Sequence, residues 1–220
     1  MVKPDEIIRS NRKTLAISID CNNRLIVRAP YRCGEERIFA FLREKEGWIA
    51  RKRAENERAG IVLPPENLQG YEFLLLGKKH RICLTGERAV GYDAVARVVY
   101  LPEKDGRKRL VEWLKDNAAR ILSAVTATAA QTMGVRYKSV TISSARSKWG
   151  SCSFDNAIRY SFRLLYAPKE VVEYVAVHEL AHTKHKDHSA AFWAEVAKYQ
   201  PDWKEKRKWL KGHGALMQVF

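Results

Sequence analysis

The stretch Val175-Ala176-Val177-His178-Glu179-Leu180-Ala181-His182, continuing into Thr183-Lys184-His185-Lys186-Asp187-His188, decides how the rest of the chain is read. It holds H-E-x-x-H with a further histidine six positions on. On a helix, residues four apart differ by about 40° around the axis, so His178 and His182 stand one turn apart on one face. Two imidazoles placed this way can grip one ion, and Glu179, about 100° round, can work on a metal-bound water without being a ligand. Zinc hydrolases use this arrangement. An ordinary helix with a polar stripe can carry the same letters. Here Val172, Val175, Ala176, Leu180 and Ala181 give the helix an apolar surround. Histidines and a glutamate buried in such a helix need a hydrogen bond or a metal to offset their desolvation.

A catalytic zinc takes three protein ligands and keeps one position open. On an unbroken helix His188 would sit about 240° round from His182 and roughly 9 Å along the axis, out of reach, so the helix must break between them. The spacing H-E-x-x-H-x5-H matches metzincins except that His185 stands where they carry a turn glycine. Histidine is enriched among non-glycine residues at positive φ, which makes a turn at His185 feasible. His185 itself, Glu195 on the next helical segment and Cys152 upstream compete as third ligand. The known spacing favours His188.

Outward from the motif, Pro168 suits the first turn of its helix, which is expected from Lys169 to about Lys184. Before it, Ala157–Tyr166 alternates as a strand and Ser139–Ala145 is a β-branched strand. Between the two lies the loop Arg146-Ser147-Lys148-Trp149-Gly150-Ser151-Cys152-Ser153, a candidate cleft wall through Arg146, Lys148, Trp149, Ser151 and Cys152. After the motif, Ser189 caps a helix through Tyr199 with Phe192, Trp193 and Val196 as its apolar stripe. Asp202 caps a last helix bearing Trp203 and Trp209. Upstream, Arg109 to Met133 has the spacing of a long amphipathic helix ended by Gly134.

The first hundred residues read differently. Lys13–Asp20 and Arg24–Ala29 form a hairpin around Cys21-Asn22-Asn23, and Gly34–Ala59 reads as one long helix closed by Gly60. Tyr71–Leu76, Lys79–Thr85 and Ala94–Leu101 are three further strands, and His80 among them has a structural or solvent-facing role. The polar break Pro102–Gly106 divides the chain into a mostly antiparallel β lobe with one helix, residues 1–104, and a helical catalytic lobe, residues 105–220, unless the two form one continuous domain.

Of the 220 residues, 40 are Lys or Arg and 25 Asp or Glu, a net charge of +15. Residues 151–200, which hold the motif, balance six basic against six acidic side chains, so the excess surrounds the motif. A basic excess favours anionic partners, nucleic acid or nucleotides, although basic and acidic residues alternate along the helical segments in the manner of a solvated surface. The charged first twenty residues lack the apolar run of a signal peptide, and no stretch approaches the roughly 20 apolar residues that span a bilayer. Four scattered cysteines (Cys21, Cys33, Cys83, Cys152) form no C-x-x-C pair. A soluble, cytoplasmic protein is the expectation.

Three blocks then carry a resemblance: Arg146-x-Lys148-Trp149-Gly150-Ser151-Cys152-Ser153, Val177-His178-Glu179-Leu180-Ala181-His182, and His188-Ser189-x-x-Phe192-Trp193. In this order they resemble the YgjP-like metallopeptidase family, predicted metal-dependent hydrolases similar to the SprT and WLM groups of DNA-associated proteases. The resemblance implies a zincin-like α+β fold, one zinc ion held by His178, His182 and His188, and Glu179 as general base. It leaves the substrate open. The expectation is a metallopeptidase acting on polypeptide with the strand Ala157–Tyr166 as a template edge. The alternatives are a metal-dependent phosphohydrolase acting on nucleotides and a nucleic-acid-binding protein with a structural metal.

Overall fold

The computed structural model describes residues 2–20, 22–60 and 63–220, with Ala59 described by its backbone alone. The expected turn residue Cys21 lies outside the described residues. The chain is α+β and divides into two compact units, Met1–Leu63 with Gly212–Gln218, and Pro64–Lys211 with Val219–Phe220. The division therefore falls near residue 63 and not at the polar break 102–106. That break is a short corner in which Glu103, Lys104 and Asp105, the last at φ 59°, join a strand ending at Pro102 to the helix beginning at Gly106.

In the first unit, β1 (Glu6–Ser10), β2 (Ala16–Ile19) and β3 (Leu25–Pro30) form a sheet with β3 in the centre. The expected hairpin is present as β2 antiparallel to β3, but β1 runs parallel to β3, so the sheet is mixed. Alternation in β3 sends Leu25, Val27 and Ala29 to one face. They pack there with Ile38 and Leu42 of α1 (Glu35–Glu44) and Ile49 of α2 (Glu46–Ala59). The single long helix expected here is two, broken at Lys45, whose φ of −97° and ψ of 8° leave the helical region. A one-residue break preserves the spacing of Ile38, Leu42 and Ile49, so periodicity does not reveal it.

The second unit carries two sheets. The first runs β4 (Glu72–Leu75), β5 (Lys78–Thr85), β7 (Val98–Pro102), β6 (Gly91–Asp93) in space, with β5 and β7 parallel and the outer pairs antiparallel. Leu76 and Gly77, both at positive φ, make the two-residue turn between β4 and β5, the geometry that matches strand twist. Gly77 is also approached by Pro168, whose Cα would lie 2.9 Å from an added Cβ, and the Leu76 amide donates to the Leu165 carbonyl at 2.6 Å. This turn thus abuts the start of the motif helix. His80 is buried and satisfied, with its ring nitrogens on the Lys78 carbonyl and the Tyr92 hydroxyl, the structural role expected of it.

The second sheet runs β8 (Ser139–Ser143), β10 (Ala157–Ser161), β9 (Gly150–Cys152). β10 is central, parallel to β8 and antiparallel to β9. Residues 162–166, expected as more strand, form a buried 3-10 turn capped by Ser161. The long helix α3 (Gly106–Met133) buries Leu110, Leu114, Ala118, Leu122, Thr126 and Ala130 along one line, and Gly134 at φ 62° ends it. The helix packs on α4 (Lys169–Ala181), most of whose residues are buried. A helix apolar on nearly all sides belongs in the interior. α5 (Ala190–Tyr199) and α6 (Trp203–Gly212) follow. Among the described residues no helix is long and apolar enough to cross a membrane.

Candidate metal centre

The motif helix stops one residue before His182. Its last carbonyls turn to local partners: Thr183 and Lys184 amides donate to Leu180 and Ala181 carbonyls, and the Thr183 hydroxyl to Leu180 at 2.7 Å. The break expected between His182 and His188 is therefore present. It is made without a left-handed residue at His185, which is absent from the described positions of positive φ. The Asp187 carboxylate then accepts the Ser189 amide at 3.2 Å, and the Ser189 hydroxyl caps α5 by accepting from Phe192. His188 is pinned between these two turns.

The result brings the ligand atoms of His178, His182 and His188 within 4.8 Å of one another. The Nε2 atoms of His178 and His188 face each other at 3.2 Å, an approach that suits two lone pairs directed at a shared cation. His182 Nδ1 lies 2.9 Å from the His185 carbonyl. Donation there leaves Nε2 as the lone-pair nitrogen, the usual way a ligand imidazole is oriented. His185 thus serves through its backbone while its ring stays outside the triad. Burial, reinforced by His182, His188 and Arg207, pushes the His178 imidazole down to about 3, and burial also lowers His182. Both are neutral near pH 7, as metal binding requires. His178 Nδ1 is buried without a hydrogen-bond partner. The donor set fits a zinc-type ion.

Phe192, fully buried, underlies all three rings, stacked on His182 at 4.5 Å and edge-on to His178 and His188. Trp193 stacks on His188 at 5.6 Å and on Trp203 at 4.1 Å. The two tryptophans therefore pack against the centre itself.

Glu179 is 5% exposed, and burial pushes its carboxyl up to about 8, with Lys148 pulling the other way. Gly150 of β9 lies flat against it: a Cβ at Gly150 would stand 2.6 Å from Glu179 Oε1 and 2.9 Å from its Cγ. Glycine is required there by this close approach. The expected cleft wall is therefore in part an edge strand. Ser151 pairs with Arg159 and Cys152 with Ile158. The Trp149 carbonyl accepts the Ser161 amide at 3.0 Å, and burial raises the Cys152 thiol. Lys148 is exposed beside Glu179. Arg146 donates to the Phe220 carbonyl at 3.1 Å, a structural tie.

Two expectations require correction. β10, expected as a free template edge, is flanked on both sides, and the edge next to Glu179 is β9. Glu195, a rival third ligand, is buried but bound by Lys184 at 2.6 Å and Lys198 at 2.7 Å, and neither it nor Cys152 joins the triad. Tyr174 and Arg207, both close to His178, were not legible from the motif. Tyr174 could have been found four residues before His178 on the same helical face. Arg207 gives no local signal.

A family model described as YgjP-like, metallopeptidase domain, matches residues 13–213. A search of curated proteins gives no match. Among solved structures, the metallopeptidase zymogen of Pyrococcus abyssi abylysin is similar at 27% identity and a TM-score of 0.38, covering 41% of this chain and 92% of that one. The zymogen of Methanocaldococcus jannaschii jannalysin is similar at 20% identity and a TM-score of 0.38, covering 41% and 93%. With the family model spanning nearly all of the sequence, this chain belongs to the YgjP-like metallopeptidase family.

Proposed function

We propose that the protein is a zinc-dependent peptidase in which His178, His182 and His188 hold one zinc ion and Glu179 is the general base. The observation that carries this reading is the convergence of three imidazoles within 4.8 Å, with the buried Glu179 carboxyl next in sequence to His178 and, among the described residues, in no ion pair. A bound zinc ion supplies Lewis-acid chemistry, lowering the pKa of a coordinated water toward about 7 and drawing off negative charge as it develops.

The chain's own groups do the rest. Glu179, poorly solvated and so a strong base, accepts the water proton and later delivers it to the leaving amine as the C–N bond breaks. Gly150 leaves room for that carboxylate, and Phe192 holds the three rings in place. β9 is a half-buried edge strand beside Glu179, and an extended polypeptide adds there as a further strand.

Cleavage of casein or an unfolded protein, with and without chelator, tests the reading. Release of phosphate from nucleoside triphosphates is measured in parallel. Chelator-sensitive proteolysis without phosphate release supports a peptidase. The reverse pattern points to a phosphohydrolase drawn to nucleotides by the basic surface. Metal binding with neither activity points to a nucleic-acid-associated protein with a structural ion.

A further inference from the structure

Two exposed cations stand near the triad and, among the described residues, belong to no ion pair. On one side Lys148 is exposed and acts on Glu179. On another, Arg207 of α6 stands over the Trp193 ring at 5.1 Å, and Trp193 is itself fixed by stacking on Trp203 and His188. Its guanidinium is therefore held beside the centre, where its charge reaches both His178 and Tyr174. Among the described residues Arg207 makes no ion pair or hydrogen bond. The Asp187 carboxylate acts on His182 and is itself engaged by the Ser189 amide.

Tyr174 adds a second, independent feature. It is 2% exposed, lies one turn before His178 on α4, and meets that imidazole edge-on at 5.9 Å. Its hydroxyl has no hydrogen bond among the described residues. The hydroxyl is therefore a donor left over for a ligand, and with the exposed Arg207 guanidinium, whose charge acts on it, it offers two anion-binding groups on one side of the triad. A positive side chain near a dication also costs electrostatic energy, which an incoming carboxylate removes.

We propose that the Arg207 guanidinium and the Tyr174 hydroxyl form an anion subsite beside the triad that takes a carboxylate of the peptide substrate close to the scissile bond. This inference rests on the metallopeptidase reading and names the substrate class, acidic peptides. The carboxylate comes from an Asp or Glu side chain or from the peptide's own C-terminus.

Matched quenched-fluorescent peptides differing by Asp, Asn or Lys beside the cleaved bond, each with a free or amidated C-terminus, test the subsite on the zinc-loaded full chain. A kcat/KM about fivefold higher for Asp than for Asn is expected, the size of one exposed charge pair, with Lys lowest. Arg207→Gln brings the Asp-to-Asn ratio to about one, and Tyr174→Phe lowers it in part. Preference for the free C-terminus with indifference to Asp assigns the subsite to a terminal carboxylate. Equal cleavage of all peptides, or an acidic preference that survives Arg207→Gln, overturns the proposal. Binding of the same peptides to the Glu179→Gln protein, followed by tryptophan fluorescence, gives a readout without turnover. If no peptide is cleaved, the metallopeptidase reading fails, and tighter binding of the Asp or free-terminus peptide still decides the subsite.

Discussion

The Glu179 carboxylate rests against the α-carbon of Gly150, so closely that a methyl group at residue 150 would stand 2.6 Å from Oε1. An edge strand and the motif helix are thereby locked together at the carboxyl that the proposed mechanism needs. Gly150→Ala must push Glu179 aside. Misplacement of a catalytic group by about 1 Å can cost about 100-fold, so kcat is expected to fall by about that factor while zinc stoichiometry stays at one. Wild-type kcat in this variant would show that the contact does not position the base.

The third ligand separates two variants. His188→Ala is expected to weaken zinc binding by more than about 100-fold, beyond the usual effect of an outer-shell partner. Glu195→Gln should leave zinc affinity within a few-fold of wild type and lower stability, because it breaks the pair of ion contacts with Lys184 and Lys198. Isothermal titration of zinc into each metal-free protein distinguishes them. The opposite ranking would move the third ligand to Glu195.

The metal-free protein should lose stability as pH rises above about 6.5. Glu179, raised from 4.5 to about 8, contributes stability that is present at low pH and lost as pH rises toward 8. His178, lowered from 6.5 to about 3, contributes stability present above 6.5 and lost as pH falls toward 3. Between 4.5 and 6.5 these slopes oppose each other, and His182, also lowered, adds to the rising one below 6.5. Above 6.5 only the Glu179 slope remains, and stability falls by ~2 kcal/mol up to pH 8 at about 1.4 kcal/mol per pH step. Urea unfolding of the metal-free Glu179→Gln protein should lack this alkaline fall. An identical fall in both proteins would place its origin elsewhere.

Phe192 is the support beneath the three rings. Phe192→Ala should cost about 3 kcal/mol of stability, as truncation of a buried phenylalanine does, and loosen zinc binding by about tenfold. Stability loss with unchanged zinc affinity would mean that Asp187 and Ser189 alone fix His188.

The motif helix and the fold-back to His188 were legible because they rest on local spacing, and four-residue periodicity survives any tertiary context. Helix α3 was legible for the same reason. Strand β9 was not, since Gly-Ser-Cys has little strand propensity and is held extended by pairing with β10. β1 escaped notice, and the parallel pairs β1–β3, β5–β7 and β8–β10 are long-range choices that alternation within a strand does not encode. Gly150 reads as a turn glycine until the Glu179 side chain is seen against it. Arg207 lies 29 positions beyond His178, and packing of α6 on Trp193 through Trp203 and Arg207 brings it to the centre.

The most direct measurement is casein cleavage by the zinc-loaded protein and by its Glu179→Gln variant, with bound zinc counted in both. One zinc per chain in each protein is expected, with turnover at least about 1000-fold lower in the variant, a loss in the usual range for a general base. Equal turnover in the two proteins would contradict the assignment of Glu179, and the absence of bound zinc from the wild-type protein would contradict the centre itself.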